Sequence, residues 1–305
     1  MGSVTQAIFI ARVLAFFLWV FACIKLLPDS MFPRWKPGIA STLWKYGSWI
    51  TLGMLLAPLL SGVERLVIGH LQGATFVTHY AIPFSLIAPI ALLAASLSNA
   101  LFPRFASEEK YGTRRLADNA VLAVVCLVTP IMVLAAFIVQ PFLSVWIDVE
   151  FSGNTVGIAQ VLIVGFWANS VAKVFHTKLQ GEGKPETVAI IHLMEVLPFI
   201  LTMYLMISQW GVLGAALAWT IRTVADMLLL GNKSGAWRFP QGYILFAFVL
   251  VVGAALISTL IGQDTSLLLV VGIPLVFLAV VWSWKLGLKA YVVALCSKQT
   301  DKQYL

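Results

Sequence analysis

Charge is scarce in this chain. Only 11% of its 305 residues are Asp, Glu, Lys or Arg, against roughly 25% in ordinary soluble domains. With 60% of residues hydrophobic, a soluble fold of this length could not hide its apolar surface, so soluble enzymes and soluble binding modules are excluded. Cysteine is nearly absent: Cys23, Cys126 and Cys296 lie in or beside apolar runs without metal-binding or redox spacing, and neither a disulfide scaffold nor a metal centre is expected. The stretches between apolar runs are short, and none could hold an extramembrane catalytic domain. The net charge of +7 is dispersed over these stretches rather than gathered on one face. It therefore marks topology and not a nucleic-acid surface. Met1–Gln6 carries no basic residue and no small-residue cleavage site follows the first apolar run, so no cleavable signal peptide is expected.

What the chain has in abundance is long apolar runs. About 20 such residues cross a hydrocarbon core ~30 Å thick as a helix. Nine runs meet that length, at about 4–24, 46–68, 78–101, 116–139, 156–175, 187–207, 211–230, 242–261 and 266–284. Backbone polar groups in lipid must be paired within the segment, and the period-two alternation of barrel strands is absent. The expected fold is therefore all-α, a polytopic membrane bundle of about nine transmembrane helices. Of the 20 basic residues, 17 fall in alternate gaps or the tail, within Lys25–Lys45, Arg104–Arg115, Lys173–Lys184, Lys233–Arg238 and Lys285–Lys302. The intervening gaps, Gly69–Thr75, Gln140–Thr155, Ser208–Trp210 and Gly262–Thr265, hold none. This positive-inside pattern puts the C-terminus in the cytoplasm and the N-terminus on the opposite side. Trp44, Tyr46, Trp146, Trp210, Trp282 and Trp284 sit at run ends, where amphipathic rings anchor at headgroup depth. Gly211, Gly214, Ala215 and Ala218 give the seventh run small residues that let helix backbones approach closely.

The other three cations lie inside runs, where a charge at mid-helix costs about 2.5–3.5 kcal/mol on insertion scales and so marks a cavity or a partner. The candidates are Arg12 in the first run, Glu64 and Arg65 late in the second, His192 and Glu195 in the sixth, and Arg222 and Asp226 in the seventh. Arg222 and Asp226 are four apart on one helix face. They either neutralise each other or present a cation to an anionic substrate while Asp226 orients it or takes a proton or sodium ion. His192 and Glu195, three apart, form either a proton-responsive couple or an inexpensive His near the headgroups with a deeper Glu. Glu64 and Arg65 point in different directions and could snorkel to the interface. Gly181-Glu182-Gly183-Lys184-Pro185 lacks the spacing of a phosphate loop and reads as a tight turn, with Pro185 starting the next helix.

Five stretches carry a resemblance. They are Leu59–Gly69 (LLSGVERLVIG), Tyr80–Phe84 (YAIPF), Leu101–Phe105 (LFPRF), Leu179–Pro185 (LQGEGKP) and Gly211–Arg222 (GVLGAALAWTIR). In this order they resemble the polysaccharide (O-antigen type) flippases of the multidrug/oligosaccharidyl-lipid/polysaccharide exporter superfamily, over about residues 44–230. The resemblance implies two six-helix lobes around a cavity that opens alternately to cytoplasm and periplasm, carrying a lipid-diphosphate-linked oligosaccharide between leaflets. In that frame residues 1–27 are the last helix of a mostly missing N-terminal lobe and 44–231 the six-helix C-terminal lobe. Residues 241–285 are an additional helix pair and 286–305 a basic cytoplasmic tail. The odd number of runs departs from the family pattern, in which both termini are cytoplasmic.

The implied role is a non-enzymatic transporter in the bacterial inner membrane, with lipid-linked oligosaccharide and membrane lipids as partners and no cofactor. Arg12, Arg65 and Arg222 would bind the anionic substrate, and Glu64, Glu195, Asp226 and His192 would couple transport to Na+ or H+. The alternatives are a related drug or lipid-precursor exporter, a non-transporting fragment, or a membrane glycan polymerase or ligase. The last needs a long outer loop with catalytic residues, and Gln140–Thr155 offers only Asp148 and Glu150.

Overall fold

In the computed structural model the described residues are 2–26, 37–107, 110–236, 241–262 and 264–301, and all their regular elements are helices. In chain order these are α1 (Gly2–Leu26), α2 (Pro37–Leu71), α3 (Ala74–Ser107), α4 (Lys110–Trp146), α5 (Val149–Gly181), α6 (Pro185–Ser234), α7 (Gln241–Ile261) and α8 (Thr265–Asp301). Among the described residues six helices, α3 to α8, contain stretches long and apolar enough to cross a membrane. All nine expected runs fall on helix, the sixth and seventh on two arms of α6. The protein is a polytopic helical bundle. Arg34, Lys36, Arg238 and Lys302, counted in the charge pattern, lie outside the described residues.

The chain divides into two compact units, Met1–Gly47 and Ser48–Leu305. In the first, every side chain of α1 from Gln6 to Phe21 is exposed, Arg12 included. A helix apolar on all sides has no preferred buried stripe.

In the second unit α5 is the central helix. Of its most apolar stretch 78% is buried, against 17% for α8. It packs on α3, α4, α6 and α7, while α8 packs on α4 and α7. The face that α3 buries follows helical spacing, with Tyr80, Pro83, Ile87, Ala94, Ser98 and Phe105 in one stripe. Close approach comes from missing side chains. A Cβ on Gly165 of α5 would lie 2.6 Å from Thr220 Oγ1 and 2.6 Å from the Trp219 ring of α6, and Thr220 Oγ1 donates to the Val161 carbonyl at 2.9 Å. Polar groups inside the bundle are tied across helices. Gln160 Nε2 donates to the Ala136 carbonyl (2.7 Å) and to Ser258 Oγ (3.0 Å), and Ser258 Oγ donates to the same carbonyl (2.8 Å), joining α4, α5 and α7.

Two expected gaps are largely absorbed into helix. Gln140–Thr155 is expected as a gap between two apolar runs, yet α4 runs to Trp146 and α5 begins at Val149. Asp148 caps α5 by accepting from the Phe151 N–H at 2.6 Å, and Ser152 Oγ donates to the Gln140 carbonyl at 3.1 Å. Helices of 33–37 residues are about 50–55 Å long and outreach the hydrocarbon, so their polar ends remain helical outside it. The second gap, Ser208–Trp210, is the tip of a hairpin. Gly211 holds φ 57°, ψ −137°, a conformation that essentially only glycine adopts, and there α6 reverses into arms 185–210 and 212–234.

The expected turn at Gly181–Pro185 forms as read, with Pro185 in the first turn of α6 and Gly183 at φ 75°. Its acidic residue is a hub. Lys178 donates to Glu182 Oε1 and, at 2.7 Å, to the Ser234 carbonyl; Lys184 donates to Glu182 Oε2 at 2.9 Å and Thr113 Oγ1 to Oε1 at 3.1 Å. This cluster aligns the starts of α4 and α6 with the ends of α5 and α6. Lys178, which the charge pattern counts as a loop cation, is only 3% exposed. Burial alone would raise the Glu182 carboxyl, but the Lys178 and Lys184 hydrogen bonds outweigh it and hold the group below its ordinary value of 4.5. A depressed carboxyl adds stability above its unfolded value and loses it as pH falls through the folded one. Thermal scans of the detergent-solubilised protein should therefore show wild type losing stability on acidification below about pH 4.5, with a shallower loss in Glu182→Gln. Parallel pH curves would remove this role.

Candidate functional site

The two arms of α6 carry four of the seven ionisable residues singled out in the sequence, His192, Glu195, Arg222 and Asp226, and these meet between arms. Arg222 Nη1 lies 3.3 Å from Glu195 Oε2, and His192 Nε2 lies 3.5 Å from Asp226 Oδ1. The expected same-arm partners, Arg222 with Asp226 and His192 with Glu195, are not at ion-pair distance. The reason is the hairpin. Residues 27 and 34 apart in sequence meet because the chain reverses at Gly211, and each crossed pair bridges two backbones. All four side chains are largely buried, Glu195 at 7% and Asp226 at 8% exposure. The Arg222 guanidinium also sits 5.5 Å from the Phe199 ring centre, a cation–π distance.

Next to these pairs is a cavity of about 270 Å³. α5 lines it with Asn169, Ala172, Lys173 and His176, α6 with His192, Arg222 and Asp226, and α2 with Leu60. The imidazoles of His176 and His192 stack with ring centres 5.8 Å apart and planes 19° apart. Because the Lys178–Glu182–Ser234 cluster brings three helix ends to one level, depth follows from the 1.5 Å rise per residue. His176, His192, Lys173 and Asp226 lie about 8–12 Å from those ends, and Arg222 and Asn169 about 18 Å. The cavity therefore occupies the half of the bundle nearer the basic turn.

Of the remaining sequence candidates, Glu64 stands one turn beyond Leu60 on α2 and within electrostatic reach of Arg222. Glu64 is fully buried, and neither carboxylate oxygen has a hydrogen-bond partner among the described residues. The interface-snorkelling alternative for this residue is thereby excluded. Its neighbour Arg65 is exposed, with its guanidinium carbon 5.3 Å from the Phe84 ring centre. The two do point in different directions. Arg12 belongs to the first compact unit. Lys173, His176 and Asn169 were not singled out in the sequence, Lys173 having been counted among the loop cations. Their spacing of four and three was the available signal, since it places all three on one face of α5.

Larger furrows of about 560 and 380 Å³ run between α4 and α8. They are lined almost wholly by apolar side chains such as Leu127, Pro130, Phe137, Ile273 and Phe277 and bear no charge. The chemistry is concentrated in the smaller cavity.

Comparison with known proteins agrees with the resemblance carried by the sequence stretches. The chain is 28% identical over 189 residues to a provisionally named O-antigen transporter of Shigella flexneri, a match covering 62% of this chain and 45% of that protein. The chain thus spans less than half the length of the curated relative it matches. No solved structure matches it. The family described as "Polysaccharide biosynthesis protein" matches residues 1–153, half of the chain, and the chain belongs to that family.

Proposed function

We propose that this chain transports a lipid-diphosphate-linked oligosaccharide, the precursor of a surface polysaccharide, from the cytoplasmic to the periplasmic leaflet by alternating access. The observation that carries this reading is the cavity with Lys173, Arg222, His176 and His192 inside a membrane bundle. Burying such groups in lipid-spanning helices is costly, and it is retained where an ion or charged substrate must pass. A diphosphate head needs hydrogen-bond donors and positive charge in low dielectric, and the cavity lining supplies both. The basic turns are cytoplasmic in this reading, so the C-terminus is cytoplasmic, the N-terminus periplasmic and the membrane the bacterial inner membrane. The cavity depth then suits loading from the cytoplasmic leaflet. The S. flexneri relative, named as an O-antigen transporter, supports the substrate class and a non-enzymatic role. Arg222 is the substrate cation within the cavity, and Arg12 and Arg65 remain candidates for other stages of the passage. Glu64, Glu195, Asp226 and His192 are the candidates for Na+ or H+ coupling.

The test is reconstitution. Protein in liposomes carrying a fluorescent lipid-diphosphate oligosaccharide should expose the label to an outside quencher faster than protein-free liposomes. An imposed Na+ or H+ gradient should change the rate, and Asp226→Asn should abolish that response. Exposure no faster than in protein-free liposomes would sink the transport reading. An unchanged gradient response in Asp226→Asn would remove Asp226 from coupling.

A further inference from the structure

The cavity holds two fixed cations, and only one is already matched. Arg222 is engaged by Glu195 at 3.3 Å and lies against the Phe199 ring. Asp226 Oδ1 lies 3.5 Å from His192 Nε2 without a hydrogen bond between them. Lys173 is different: among the described residues no hydrogen bond or ion pair engages its ammonium, and Asp226 acts on it only through space. On the same face of α5, Asn169 brings an amide and His176 an imidazole to the cavity. Nδ1 of His176 and Nδ1 of His192 are both buried without a hydrogen-bond partner. Unused polar capacity is thus gathered around one uncommitted charge.

We propose that Lys173, flanked by Asn169 and His176, is the residue that docks the phosphate head of the substrate, while Arg222 is held by Glu195. This rests on the transporter reading above and names the binding residue within it. An anion that took Arg222 would have to displace Glu195 and leave a largely buried carboxylate unpaired, which is strongly unfavourable. An anion that takes Lys173 displaces no hydrogen-bonded partner, since Asp226 acts on the ammonium only through space. The ammonium is a compact charge with three rotatable donors, and His176, in the tautomer that carries its proton on the unpartnered Nδ1, can donate beside it. The volume of about 270 Å³ corresponds to roughly nine water molecules at about 30 Å³ each. That matches the scale of a diphosphate group and not of an oligosaccharide, so the glycan stays outside this pocket while the head is held.

The experiment is equilibrium binding of citronellyl-diphosphate-linked N-acetylglucosamine to the purified full chain in detergent, with citronellol as the uncharged control. Wild type should bind the diphosphate and not the alcohol. Lys173→Gln should weaken binding by about tenfold to a hundredfold, as expected for one charge-assisted hydrogen bond, and Lys173→Arg should restore most of it. Added salt should weaken wild type more than Lys173→Gln. A reading on the unaltered protein guards against misfolding of the variant: bound diphosphate should shield Lys173 from an amine-acylating reagent, scored by mass spectrometry. If wild type binds but Lys173→Gln binds equally well, or Lys173 is not shielded, the assignment is overturned and the transporter reading stands. If wild type does not bind the diphosphate at all, the transporter reading itself fails and takes the assignment with it. Displacement of the probe by phosphatidylglycerol at equal concentration would assign the pocket to a membrane lipid headgroup and overturn the proposal.

Discussion

Replacing Glu195 with alanine should destabilise the bundle by about 3–5 kcal/mol, the range for breaking a buried ion pair from one side. The loss comes less from the missing attraction than from what is left behind. Arg222 is 9% exposed and is held between the arms of α6 by Glu195 and the face of Phe199. Without the carboxylate its charge stays largely buried and has lost its hydrogen-bonded counter-ion. The double variant Glu195→Leu/Arg222→Met removes both charges and should be far less damaging than the sum of the single changes, because similar-volume apolar replacements of buried pairs are often neutral. Thermal unfolding in detergent, arranged as a double-mutant cycle, measures the coupling. Strictly additive single effects, or a Glu195→Ala loss below about 1 kcal/mol, would mean that Arg222 turns to Asp226 and that the crossed pairs do not lock the hairpin.

Gly214→Val should be at least as damaging and for a purely steric reason. A Cβ at this position would lie 2.0 Å from the Met206 carbonyl oxygen and 2.3 Å from its carbon. These are backbone atoms of the opposing arm, so no rotamer change relieves the overlap. The hairpin has to open, and the cost should exceed the ~1–3 kcal/mol of ordinary overpacking. Opening separates Glu195 from Arg222 and His192 from Asp226, so the cavity and the fold should fail together. Gly157→Ala is the matched control, since nothing lies within 4 Å of a Cβ added there. It should be neutral or gain about 0.5–1 kcal/mol from reduced chain entropy. Equal unfolding temperatures for the two variants would show that the arms do not approach as described.

The small-residue reading of the seventh run thus gains a definite geometry. Gly211 makes the reversal, Gly214 lets the returning arm touch the outgoing one, and Ala215 and Ala218 are buried beyond it. The sequence announced close packing here because glycine and alanine spacing is a local signal. That the packing partner is the same helix folded back depends on the backbone of Gly211, which is invisible in composition. Gln140–Thr155 shows the converse error, in which a break between two apolar runs suggested a loop although Asp148 caps a helix there and Ser152 bonds across to the Gln140 carbonyl.

The membrane bundle and its nine runs were legible from residues 1–305 because the bilayer imposes a local constraint. Any segment that crosses it must be long, apolar and internally hydrogen-bonded, and that requirement is written run by run. The buried charges were legible for the same reason, since each is costly wherever it sits. Their partners were not. Arg222 and Asp226 share a helix face, yet Arg222 meets Glu195 and Asp226 meets His192 because the opposing arm supplies nearer groups. Lys173 looked like one more loop cation, and only the rotation of α5, set by its packing on α3, α4, α6 and α7, turns it into the cavity. Helix rotation and pairing depend on side chains far apart in the chain, so they exist only once the bundle has closed.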